Sequence, residues 1–366
     1  MGRVSAGRTA TDGGRVKRRW RLLASLGAVA AALVLVPIGG IELGCPALPG
    51  ATPSTPPDQT PPAARRPQAR TWLTYPEWHI VYSAESLGRY LVKGGRPSGY
   101  DYGADVAGFW RSYCAINRIA GARAGAAEAK QMIYVIGISF TVEMAVKAGW
   151  ESTIGRVSEW LGGWHSPEDR YAAGVQQRYG AFMHEVPWYD FDFAGTLARL
   201  WRTHDGWSIV RRPERRLALS AEYGVKAVYA KGIGALAAMQ PDATTLVMTV
   251  RASPQVVAAI DPRLRPLATG TGRTRVSAPR YAQFTDLLGK LADHRIAVES
   301  IAGNRTIFVT LLAPTASVPR AALLAMPLGD RPGWSRYGVT VPVAELTARI
   351  AAARASGIEI EHVYDY

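Results

Sequence analysis

Thr244-Thr-Leu-Val-Met-Thr-Val-Arg251 is where the chain changes its grammar. β-Branched and aliphatic residues alternate with threonine, as on a strand with one buried face. Upstream, from Thr71 to about Met239, apolar residues recur at helical spacing and no stretch alternates convincingly. Downstream, strand-like runs at 295–300, 306–313, 323–328, 337–343 and 358–364 are interleaved with helical runs at 281–293 and 344–356. Ala302-Gly303-Asn304 marks a turn and Gly357 a helix stop. The fold class expected is therefore α+β: a helical domain over 71–240, then a domain over 241–366. The second contains two β-α-β units and is expected to form one ferredoxin-like sandwich, with helices on one face of an antiparallel sheet.

The N-terminal part reads as an anchor and a tether. Leu22 to Ile41 carries no charge and approaches the length that crosses a bilayer core. Arg3, Arg8, Arg15, Lys17, Arg18, Arg19 and Arg21 precede it against Asp12 alone. The positive-inside rule then puts residues 1–21 in the cytoplasm and everything beyond the span outside, at a bacterial cytoplasmic membrane. A cleaved signal sequence and a lipidated Cys45 are the competing readings of this segment. Residues 42–70, dense in proline and threonine, form a semi-rigid linker. Cys45 and Cys114 are the two cysteines. An oxidising compartment permits their pairing, but the simpler reading makes Cys114 a small buried thiol.

The net charge of +14 does not indicate a nucleic-acid partner, because its densest part is the short tail. The partners expected are membrane lipid, through 22–41, and an envelope protein. No cofactor is implied. The six histidines lack metal-ligand spacing, and Gly270-Thr-Gly-Arg-Thr274 lacks the ending of a phosphate-binding loop.

An internal repeat carries the candidate polar site. Glu143-Met-Ala-Val-Lys147-Ala-Gly-Trp150 through Ile154-Gly155 matches Glu222-Tyr-Gly-Val-Lys226-Ala-Val-Tyr229 through Ile233-Gly234. At about 100° per residue, Glu, Lys, the aromatic and Ile fall within roughly 60° of one another on each helix. Two such helices can pack with their charges closing a polar layer, or hold an ion path if both lie in a membrane. A second, weaker candidate is an acidic and aromatic patch: Glu77, Trp78, Glu185, Trp188, Asp190 and Asp192. Carboxylates beside aromatic rings suit a glycoside hydrolase.

Tyr75-Pro-Glu-Trp-His-Ile-Val-Tyr82, Thr141-Val-Glu through Ile154-Gly-Arg156, and Glu361-His-Val-Tyr-Asp-Tyr366 are similar to segments of bacterial membrane-associated proteins of unassigned function. The resemblance spans about 71–366 and implies no activity or site residue. The expected function is non-catalytic binding or scaffolding at the envelope. An envelope hydrolase and a polytopic transport-type protein are the alternatives.

Overall fold

The computed structural model describes residues 38–48, 60–123, 125–202, 208–237, 244–319, 322–328 and 331–365. The expected tail, the anchor up to residue 37 and linker residues 49–59 lie outside these. The chain divides into two compact units, residues 1–46 and 47–366. In the first, residues 38–44 are helical. Both cysteines are disulfide-bonded and no free thiol remains, which corrects the reading of Cys114 as a buried thiol.

The second unit is a mixture of helices and antiparallel sheets. Its helices are α1 (Arg70–Leu73), α2 (Tyr75–Val92), α3 (Tyr102–Ala120), α4 (Ala126–Trp150), α5 (Arg156–Gly162), α6 (Pro167–Glu185), α7 (Phe193–Trp201) and α8 (Arg211–Ala237). Local chemistry sets several starts. Asp101 and Asp192 accept from the backbone N–H groups of Ala104 and Gly195. Ser166 and Asp169 form a reciprocal capping box at α6. A π-helical turn, Glu151–Gly155, joins α4 to α5, so one unbroken helical stretch runs from Ala126 to Gly162.

The remaining elements are β1 (Thr245–Val250), α9 (Pro254–Ile260), β2 (Arg265–Gly270), β3 (Arg273–Pro279), α10 (Ala282–Asp293), β4 (Val298–Ile301), β5 (Thr306–Pro314), β6 (Leu324–Pro327), β7 (Trp334–Pro342), α11 (Leu346–Ala355) and β8 (Glu359–Tyr364). They form two four-stranded antiparallel sheets, β2-β3-β1-β4 and β6-β7-β5-β8, where the sequence reading expected one. The expectation failed at β2 and β3. Every residue of β2 is exposed, so no alternation marks it, and Thr271-Gly272 is the two-residue turn of a hairpin, with Gly272 at φ +68°.

The two sheets are built alike. Each places its first strand between its third and fourth. Thr245-Leu-Val-Met-Thr-Val250 corresponds to Thr306-Ile-Phe-Val-Thr-Leu311, and both strands carry a register shift at their fifth step, Thr249/Val250 and Thr310/Leu311. The turns before the fourth strands both use a left-handed residue, Arg295 and Gly357. Arg273–Glu299 (3.0 Å) and Arg336–Glu361 (2.6 Å) are matching ion pairs. One continuous core, including Met248, Val276, Phe284, Leu288, Val309 and Ile350, is shared by both halves.

The second sheet also carries the helical layer. Thr71 donates its hydroxyl to the Tyr364 carbonyl (2.7 Å) and accepts from the Phe308 amide (3.0 Å). Trp72 Nε1 donates to Thr340 Oγ1 (2.9 Å). Phe308 and Thr310 are therefore buried like their neighbours Ile307 and Val309, and β5 is covered on both faces.

Candidate functional site

The repeated helices meet. α4 and α8 run antiparallel, with Glu143 opposite Lys226 and Lys147 opposite Glu222. Lys147 Nζ lies 3.0 Å from Glu143 Oε1 on its own helix and 2.8 Å from Glu222 Oε1 across the interface. Lys226 Nζ lies 2.8 Å from Glu143 Oε1 and 3.4 Å from Glu222 Oε1. The four groups thus form a ring of alternating sign in which every ammonium touches both carboxylates. The i,i+4 spacing supplies two sides of the ring and antiparallel packing the other two. Lys226 also stands over the Tyr179 ring at 4.8 Å. The side chains range from 12% exposed at Lys226 to 32% at Glu143, so the ring is mostly shielded from water.

Trp150 and Tyr229 do not share one role. Trp150 Nε1 donates to Glu214 Oε1 (2.6 Å), and Tyr229 stacks on Trp188 at 5.4 Å.

A second ion network lies beyond the π turn, at the start of α8. Arg211 is fully buried and donates to Asp169 Oδ1 (2.7 Å) and Glu214 Oε2 (3.0 Å). Arg215 Nη2 reaches Glu151 Oε1 at 2.8 Å. Glu168, also buried, lies 3.0 Å from Arg212 and 3.1 Å from Arg216. In the sequence these arginines mark only a basic flank of the second repeat copy. Their available signal was the acid-rich start of α6, Glu168-Asp169, which needs cations wherever it is buried.

The acidic and aromatic residues serve several contacts. Asp192 is the cap of α7, and Glu185 and Asp190 are exposed. Glu77 is half-buried on α2; loss of water raises its carboxyl, against the pull of Arg70 and Arg280. Arg280 is itself held by both oxygens of Asp365 (2.9 and 3.0 Å). Trp78 packs on the buried imidazole of His362, with ring centroids 3.6 Å apart. Around this pair, Tyr82 and Tyr364 share a hydrogen bond of 2.9 Å, and Arg336 lies 3.7 Å over the Tyr82 ring while gripping Glu361. Burial holds His362 well below the usual histidine range, so it is neutral at pH 7. This cluster mortars the helical layer to the second sheet.

Among the described residues, no group of three or more His, Cys, Asp or Glu is arranged to hold a metal ion. The chain matches no family model, no curated protein and no solved structure.

Proposed function

We propose that the chain is a membrane-tethered, non-catalytic module of the cell envelope. Residues 22–41 act as the anchor with the N-terminus in the cytoplasm. The body lies outside, where it binds or scaffolds an envelope protein. In its C-terminal part, the two sheets with strand order 2-3-1-4 are best taken as tandem ferredoxin-like halves; the second lacks a helix after its first strand.

The observation that carries the non-catalytic reading is the closed charge ring. A transport or acid/base site keeps a charge available to its ligand. Here each of the four charges is neutralised by two neighbours. Such a layer fixes the register of a helix pair.

Neutral replacements of similar shape test it: Glu143→Gln, Lys147→Met, Glu222→Gln and Lys226→Met together in the full chain. A structural ring tolerates this exchange, because well-packed neutral groups often replace buried ion pairs without loss. The variant is expected to fold and to complement a deletion of the chromosomal copy. A folded variant that fails to complement would return the site to the transport reading.

A further inference from the structure

Apart from the Glu143–Lys147 pair, α4 from Met132 to Trp150 carries no charged side chain, yet only 22% of the most apolar part of its helical stretch is buried inside the protein. A helix of that composition needs cover on every side. One side has it: Ile133, Gly137, Phe140 and Met144 face the core. The opposite side is bare. Val135, Val142 and Val146 are exposed, Val142 by 57%. On α8, Leu217, Val225 and Val228 are equally bare, Val228 by 75%.

These two bare stripes adjoin. Counting about 100° per residue, each lies on the same rotational side of its own ring residues. In an antiparallel pair that offset turns both stripes toward one side of the pair. From Gln131 to Ile154 the exposed positions of the first stretch carry no charge, about 36 Å of helix. From Leu217 to Ala230 the same holds on α8, about 20 Å. Cations stand at three of the four ends, Lys130, Arg156 and Lys231, while Arg216 at the fourth is held by Glu168. Trp160, 83% exposed, lies beyond Arg156.

We propose that the outer face of the α4–α8 pair is a monotopic membrane-contact platform that lies in the interface of an anionic bilayer. An apolar strip framed by basic residues and an exposed tryptophan matches what such an interface accepts: acyl chains beneath, negative headgroups around. The outer faces of α3 and α6 carry Arg111, Arg118, Arg170 and Arg178, so the rest of the helical layer stays out of the lipid. The ring charges sit at the seam and reach the bilayer already neutralised by one another.

The test uses the full chain in vesicles of phosphatidylcholine and phosphatidylglycerol. Both native cysteines are disulfide-bonded, so a single introduced cysteine takes a spin label selectively. Labels go at Val142, Val146, Val225 and Val228, with Ala104 and Val256 as exposed controls elsewhere. A label at Leu33 reports on the anchor separately, so failure of the anchor reading and failure of the platform are told apart. The platform labels are expected to be reached by oxygen and shielded from a water-soluble nickel chelate, with the controls reversed. Ready access of the chelate overturns the proposal in favour of a solvated face. Shielding from both reagents, with dipolar broadening between labels, overturns it in favour of a second copy of the chain.

Discussion

Arg211 shows how much of this molecule is decided by single buried charges. Its guanidinium is fully buried and joins α6 to α8 through Asp169 and Glu214. Arg211→Met leaves the Asp169 carboxylate without its main cation, while Glu214 keeps Arg215, and unpaired buried charge costs about 3–5 kcal/mol. The denaturation midpoint should fall accordingly. His79 makes the opposite demand. Burial brings its pKa down to about 4, and Arg336 and Arg111 add to the effect against a hydrogen bond to the Asp105 carbonyl. The unfolded chain therefore binds a proton near pH 6.5 that the folded chain refuses until about pH 4. Stability is unaffected above pH 6.5 and is lost as pH falls toward 4, by on the order of 3 kcal/mol from this residue. His79→Gln should flatten that part of a stability-against-pH curve. Neither residue's role was legible in the sequence. Arg211 looked like one of several flanking cations, because its partners lie on another helix and the sequence does not say which arginine is enclosed.

At the scale of elements, local signals were legible and distant pairings were not. Ser166-Pro167-Glu168-Asp169 predicts a helix start from residues in direct contact, and α6 begins there with its capping box. Ser166→Ala should cost about 1 kcal/mol, measured by thermal unfolding. The closeness of α2 to α6 left no such signal. A Cβ on Gly88 would lie 3.0 Å from the Gln177 backbone, and one on Gly180 would lie 3.0–3.2 Å from Glu85. Gly88→Val must push the helices apart and is expected to destabilise by about 1–3 kcal/mol. The repeat itself was readable, since Glu and Lys recur at the same offset in both copies. Its antiparallel pairing was not, because helical spacing fixes a face and not a neighbour. The exposed strand β2 was missed for a related reason: alternation is visible only where one face is buried.

Across the whole molecule, the first strand begins next to the change at Thr244, so a mixed α and β fold was legible. The number of sheets was not, because two similar halves share one core and the sequence marks no boundary between them. The same duplication gives the halves different environments. The pair Arg336–Glu361 is covered by the helical layer, whereas its counterpart Arg273–Glu299 is largely open to solvent on the arginine side. Trp78→Ala removes the ring that fills the helix-to-sheet junction, and should cost about 3–5 kcal/mol in the unfolding midpoint. In the helical layer, the alternating charge ring fixes the register of the antiparallel repeat. The most direct test is thermal unfolding of the full chain with its charges exchanged. Glu143→Lys with Lys147→Glu keeps the pair within α4 but sets the new lysine beside Lys226 and the new glutamate beside Glu222. Adding Glu222→Lys and Lys226→Glu restores alternation all round. A lowered midpoint is expected for the first exchange and recovery toward the native value for the second. A first exchange without effect, or a second that recovers nothing, would contradict it.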